Sequence, residues 1–134
     1  MALSVLILAA GKGTRMNSNS PKVLHHVGNI PMIYYSIKLA IKAKAKNIGI
    51  VISKDATEIK NFIKSLSVNI KLFVQSNQLG TGHAILSAKE FETKSGDLII
   101  LYGDCPLITE DTIKKLIDTK KKRSRSFSVG FLIK

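Results

Sequence analysis

"LILAAGKGTRMNSNSPKVLHHVGNIPM", residues 6–32, passes from an unbroken apolar stretch into a loop that carries glycines and the cations Lys12, Arg15 and Lys22. An apolar run with no polar alternation is the pattern of a strand covered on both faces, which occurs almost only in parallel sheets flanked by helices. Glycine directly after such a strand lets the backbone turn, and it brings N–H groups close to an anion with no Cβ in the way. Two named phosphate-binding signatures are absent. From Gly11 the chain reads Gly-Lys-Gly-Thr-Arg-Met, with Met16 where the third glycine of a dinucleotide fingerprint would stand, and no G-x-x-x-x-G-K-[ST] register exists. Phosphate held by this loop is therefore held by another arrangement. Taken alone, the loop also reads as a glycine turn flanked by solvated lysines.

Working outward, apolar runs alternate with amphipathic segments. Val5–Ala9 is the first expected strand, followed after Pro31 by a helix with Ile33, Ile37, Ala40 and Ile41 on one face. "IGIVI" (48–52) is the next strand. Asp55 with Glu58 three residues on is an approximate capping box for a helix that buries Ile59, Phe62, Ile63 and Leu66. "IKLFV" (70–74) is a third strand, and one helix carrying Ala84, Ile85, Ala88 and Phe91 leads to "DLIILY" (97–102). Thr109 caps a helix with Ile113, Leu116 and Ile117 inward, and "SFSVGFLIK" reads as a final strand. This order predicts an α/β fold with a mostly parallel sheet, helices on both faces and right-handed crossovers.

Length and composition bound the function classes. The 134 residues suit one domain, and 45% hydrophobic content argues against disorder. No apolar run approaches the roughly 20 residues that cross a bilayer, and the start "MALSVLILAAGKG" has no basic residue before its apolar run, so it reads as a strand and not a signal peptide. One cysteine, Cys105, forms no internal disulfide, which suits a reducing, cytoplasmic setting. The formal charge of +12 invites a nucleic-acid role, but the lysines are dispersed over every expected helix and aromatics are few. Abundant Ile, Lys and Asn share AT-rich codons, so genome composition is the plainer source of the charge. "KKKRSRS" (120–126) is the one cluster, read as a solvated loop and kept as the anchor of a nucleic-acid alternative. No nucleic acid and no membrane are expected as partners.

In an open parallel sheet, ligands collect beyond the carboxyl ends of the strands. Three loops leave strands there: "AAGKGTRM", "QSNQLGTGHA" and "YGDCPL". In the second, Gln75 and Gln78 offer donors and acceptors suited to a nucleobase edge, beside the glycines that flank Thr81, although a lone Gly-Thr-Gly is common in strand-to-helix turns. In the third, Asp104 follows Gly103 at a strand end, where one carboxylate can hold Mg²⁺ that takes its other ligands from water and phosphate. An isolated aspartate there serves as often as a turn or helix cap. His25 and His26 read as solvated or hydrogen-bonded, His83 as a packing or capping residue at a helix start, and Cys105 as a small buried residue.

"LAAGKGTRM", "PKVLH", "QLGTGHA" and "YGDCPL", in this order and at these intervals, resemble the uridylyltransferase domain of bacterial N-acetylglucosamine-1-phosphate uridylyltransferases. The first motif is shared with thymidylyl- and cytidylyltransferases, and the next two narrow the match. The resemblance implies a Rossmann-like nucleotidyltransferase fold of the sugar-nucleotide pyrophosphorylase type, three-layer α/β/α, truncated relative to the family. It implies that the backbone of Leu8, Ala9, Ala10 and Gly11 holds the uridine nucleotide, with Arg15 and Lys22 as the catalytic cations neutralising its phosphates. Gln75, Gln78, Gly80 and Thr81 would select uracil, Tyr102 and Gly103 line the ribose and sugar side, and Asp104 bind Mg²⁺. The implied reaction moves UMP from UTP to N-acetylglucosamine 1-phosphate, giving UDP-N-acetylglucosamine, a precursor for peptidoglycan and lipopolysaccharide, and releasing pyrophosphate.

That family's domain runs on past this length and is joined to a left-handed β-helix acetyltransferase through which it trimerises. Residues 1–134 are therefore expected to be the nucleotide-binding N-terminal portion, monomeric or weakly self-associating. Most acceptor contacts and a second metal ligand would be missing, and turnover would be slow or absent. A nucleotide-binding remnant or subunit without turnover is the alternative.

Overall fold

In a computed structural model, the chain is described over residues 3–10, 24, 26–54, 56–75, 81–92, 96–103, 109–122 and 129–132. Five strands form one sheet: β1 (Leu3–Leu8), β4 (Asn47–Ser53), β5 (Lys71–Gln75), β6 (Asp97–Tyr102) and β7 (Val129–Leu132). Their order is β5-β4-β1-β6-β7, and every pairing is parallel. All six residues of β1 are buried, as its lack of polar alternation requires for the middle strand of a covered sheet.

Alternation along the strands sorts the core into two clusters. Val5 and Ile7, with Ile48, Ile50, Ile52, Ile99 and Leu101, face helices α1 (Met32–Lys42) and α2 (Thr57–Lys64). Leu6, Leu8, Val51 and Ile100 face Ala84 of α3 (Thr81–Leu86) and Phe91 of α4 (Lys89–Glu92). The result is the expected three layers.

Several details depart from the sequence reading. The stretch read as one helix from Ala84 to Phe91 is broken at Ser87–Ala88 into α3 and α4, with Ala84, Ala88 and Phe91 still inward. Ile41 is 44% exposed, because the α1 stripe that reaches the sheet is set by Ile33, Ser36, Ile37 and Ala40. The N-cap of α2 is Ala56 with no side-chain cap, so the Asp55–Glu58 box does not start that helix; Asp55 lies outside the described residues. Thr109 does cap α5 (Glu110–Lys122), its Oγ1 accepting from the Thr112 N–H at 3.4 Å. That helix runs through Lys122, so the first lysines of the 120–126 cluster are helical and not loop.

The handedness expectation also needs correction. The first three crossovers share one hand: α1 and α2 lie on one face while the chain steps from β1 to β4 to β5, and α3–α4 lie on the other while it returns to β6. Ile113 and Ile117 of α5 join the α1–α2 cluster, yet β6 to β7 steps toward the opposite edge. This crossover therefore has the opposite hand. Burial of those two isoleucines beside Ile99 and Leu101 outweighs the twist preference that makes nearly all such connections right-handed.

An unforeseen two-stranded ribbon pairs β2 (His26–Val27) with β3 (Ile30–Pro31) through Gly28 and Asn29, at φ +60° and +67°. Two consecutive positive-φ residues are what a tight hairpin of this twist requires, and Gly-Asn supplies them. His26 is exposed on it, as expected.

Helix α1 ends in a Schellman motif. The Ala45 N–H donates to the Ala40 carbonyl at 3.1 Å and the Lys44 N–H to the Ile41 carbonyl at 3.0 Å, with Lys44 at φ +59°. A Cβ at that φ costs about 1–2 kcal/mol, and glycine gives back roughly 0.5–1 kcal/mol in unfolded-chain entropy. Lys44→Gly is therefore expected to stabilise the protein by about 0.5–1 kcal/mol in urea unfolding, and a destabilised variant would contradict this account.

Candidate functional site

The strand order reverses at β1. From it the chain builds toward β4 and β5 and then returns to β6 on its other side, so the crevice between the carboxyl ends of β1 and β6 is the ligand position this topology defines. The residues there were brought together from far apart in sequence. Leu8 pairs with Val51 on one side and Tyr102 on the other. Beyond the strand, the Ala9 N–H donates to the Val51 carbonyl at 2.8 Å, and the Gly103 N–H donates to the Leu8 carbonyl at 2.9 Å. Leu8, Ala9 and Ala10 are all buried, so their side chains face the two core layers. The Leu8 carbonyl and Ala9 amide are thus both engaged by the neighbouring strands.

Tyr102 is half-buried on the α3 side, packed against the cluster of Leu6, Leu8 and Ala10, and Gly103 is buried. Gln75 ends β5 in register with Ser53, two strands away from β1, and its side chain is nearly fully covered at 3% exposure. Thr81 begins α3, which packs on β1 and places Ala84 against Leu8 and Ala10. The backbone around residues 75 and 81 thus frames the same edge as Leu8 and Gly103. Gly11, Lys12, Arg15, Lys22, His25, Gln78, Gly80, Asp104 and Cys105 lie outside the described residues.

One residue at this edge was not anticipated. Ser36 of α1 is 3% exposed, and its Oγ donates to the Tyr102 carbonyl at 3.2 Å. Its signal in the sequence was a lone hydroxyl inside the apolar stripe Ile33, Ile37, Ala40. Among the described residues, no group of three or more His, Cys, Asp and Glu is placed to hold a metal, and no helix is long and apolar enough to cross a membrane.

A parallel sheet whose order reverses at β1, with the crevice between the carboxyl ends of β1 and β6, is the arrangement of an open α/β domain that binds its ligand there. The MobA-like NTP transferase domain matches residues 5–129, and the chain belongs to that family. Within it, the chain is 45% identical over 120 residues to the bifunctional protein GlmU of Thermotoga maritima, covering 90% of this chain and 26% of that protein. It is 40% identical over 130 residues to GlmU of Buchnera aphidicola subsp. Schizaphis graminum, covering 97% of this chain and 28% of that one. The chain thus spans about a quarter of the length of these relatives and matches their N-terminal part. The UDP-glucose pyrophosphorylase of Acinetobacter baumanii shares the fold, with a TM-score of 0.73 at 20% identity over 91% of this chain and 53% of that one.

Proposed function

We propose that residues 1–134 form the nucleotide-binding portion of a sugar-1-phosphate uridylyltransferase, binding UTP with Mg²⁺ in the cytoplasm and serving UDP-N-acetylglucosamine synthesis. The observation that carries this reading is the 45% identity to a GlmU protein over 90% of the chain. Two of its motif-bearing segments follow β1 and β6, the strands that meet at the sheet's reversal point, and the third follows β5 at the same end of the sheet, which supports it further.

In this reading the loop after Ala9 wraps the triphosphate, and Arg15 and Lys22 neutralise its charge. Gln75, Gln78 and the Gly80–Thr81 backbone read the uracil edge, while Tyr102 and Gly103 border the ribose. Asp104 offers a hard carboxylate oxygen directly after Gly103, a donor that fits Mg²⁺, which keeps several waters and takes phosphate oxygens as ligands. The ion, when bound, offsets phosphate charge. A phosphate oxygen of N-acetylglucosamine 1-phosphate attacks the α-phosphorus of UTP in line; the bond from that phosphorus to the α–β bridging oxygen breaks, and pyrophosphate leaves with the electron pair. No protein nucleophile is needed, because transfers of this kind depend on positioning and charge stabilisation.

Calorimetric titration with UTP and Mg²⁺, followed by a pyrophosphate-release assay with N-acetylglucosamine 1-phosphate, tests the reading. UTP is expected to bind and to displace a fluorescent uridine nucleotide roughly tenfold or more better than ATP, since one missing base-edge hydrogen bond is worth about that factor. Equal displacement by both would leave only a general triphosphate loop. UTP affinity with no pyrophosphate release would select binding without transfer over the transfer reading.

A further inference from the structure

We propose that the amino end of the sheet is a docking surface for the phosphate backbone of a nucleic acid, at the opposite end from the crevice between β1 and β6. It does not rest on UTP binding. Lysines that lie scattered along the sequence are gathered there by the direction of three helices. In a parallel sheet each crossover helix runs back from the carboxyl end of one strand to the amino end of the next. Helices α1, α2 and α5 all do so on one face, where Ile37, Ile59 and Ile113 belong to the same apolar cluster. Their last turns therefore emerge at the same end of the sheet. Helix α1 ends on Lys42 and is followed by Lys44 and Lys46, α2 ends on Lys64, and α5 ends on "KKK" (120–122). The Lys46 N–H donates to the Leu3 carbonyl at 2.7 Å, which holds that loop at the start of β1. Strands about 4.8 Å apart spread these helix ends over a row of cations roughly 20 Å long.

Helix dipoles alone do not call for so many. Each helix end carries about half a negative charge, and one lysine per end offsets it. Among the described residues, Lys42, Lys44, Lys46 and Lys64 are exposed and none of them is in an ion pair, whereas Lys71, at the start of β5, is taken by Glu90. The described carboxylates toward this end are Asp97, which opens β6, Asp118, one turn before the end of α5, and Glu90 and Glu92 of α4 on the opposite face. Lys44 keeps a Cβ at φ +59°, where glycine would relieve the strain, so a cation is retained at a position whose backbone disfavours it. Among the described residues this row holds no arginine and no exposed aromatic ring, which suits contacts to phosphate and not the reading or stacking of bases. A lipid surface matches less well, because Ile41 is the one exposed large apolar side chain described on these helices.

The test is fluorescence anisotropy of the full chain with a labelled mixed-sequence DNA duplex of about 20 base pairs, from about 50 to 200 mM KCl. Log affinity against log salt is expected to fall with a slope of roughly −4 to −6, about 0.9 for each phosphate neutralised. Combining Lys44→Gly, Lys46→Ala and Lys64→Ala removes three cations from the row and should make the slope shallower by about 2–3. Combining Lys54→Ala, Lys60→Ala and Lys114→Ala lowers the net charge equally, nearer the other end, and should change it by less than about 1. UTP with Mg²⁺ is expected to leave the complex intact. An equal change in the two variants would assign binding to net charge and overturn the surface. Displacement of the duplex by UTP would move the nucleic acid to the crevice and overturn it as well. Displacement by phosphatidylserine vesicles at equal anionic charge would give the surface to lipid, and absence of duplex binding would remove it altogether.

Discussion

Gly49→Val lowers the stability of the fold by about 3 kcal/mol, and Gly49→Ala by about 1–2 kcal/mol. Gly49 is buried in the middle of β4, on the α3–α4 face. A Cβ there would lie 2.8 Å from Phe91 Cζ, 2.9 Å from Phe73 Cε2 and 3.0 Å from Phe91 Cε2. The two rings form an edge-to-face pair with centroids 5.3 Å apart, so moving either ring away from the strand disturbs a contact worth about 0.5–1.5 kcal/mol. Against this, replacing glycine in a strand gains only about 0.4–1 kcal/mol from the unfolded chain. Overpacking is the larger effect, and it grows with the branched side chain. Urea unfolding of both variants measures it, and Gly49→Ala with added Phe91→Leu should recover part of the loss. An alanine variant as stable as wild type would show that the aromatic pair yields freely.

Lys22→Ala weakens UTP binding by about 1.5–3 kcal/mol, the usual loss for one charge-assisted contact. This corresponds to roughly ten- to 150-fold in Kd. The prediction comes from the Pro21–Lys22 pair placed shortly after the glycine loop and assigned to the phosphates. Lys42→Ala is the control. It removes an equal charge at the far end of α1, exposed and next to the start of β4, and should change affinity by less than about twofold because separated surface charges are screened by salt. Equal weakening by both variants would assign the effect to net charge alone. Unchanged affinity of Lys22→Ala would remove that residue from the site.

The strands were legible because burial on both faces leaves runs with no alternation. "DLIILY" coincides with β6, and "IGIVI" lies within β4 with one further residue at each end. The end of the sheet where the proposed site lies was legible for a related reason: in the sequence, glycines follow the runs that form β1 and β6. What escaped was set by tertiary neighbours. Local periodicity carries Ile41 inward, but the stripe that reaches the sheet runs through Ile33, Ser36, Ile37 and Ala40 and leaves it out. The hand of the β6–α5–β7 crossover depends on which face offers Ile113 and Ile117 a place, which no window around residue 113 contains. Ser36 reads as an interruption of an apolar stripe until its partner, the Tyr102 carbonyl, is seen across the sheet. The Gly28–Asn29 hairpin was visible in principle, but the flanking His26–Val27 and Ile30–Pro31 segments are too short to announce strands.

The central place of β1 has a consequence for how the protein emerges from a ribosome. Its first neighbour, β4, follows within a few dozen residues, and Ser4–Leu8 can pair with Asn47–Val51 as soon as α1 and β4 have been made. The other side of β1 waits for Asp97–Tyr102. During that interval a growing chain holds β5, β4 and β1 together with an apolar, unpaired edge along Leu3–Leu8, the kind of edge that recruits other strands. The bond from Gly103 to Leu8 closes that edge and completes the crevice in the same step. The strand ends of β1 and β6 therefore come together only after the most aggregation-prone surface has been covered, and until then protection must come from outside the chain, as from a chaperone that shields strand edges.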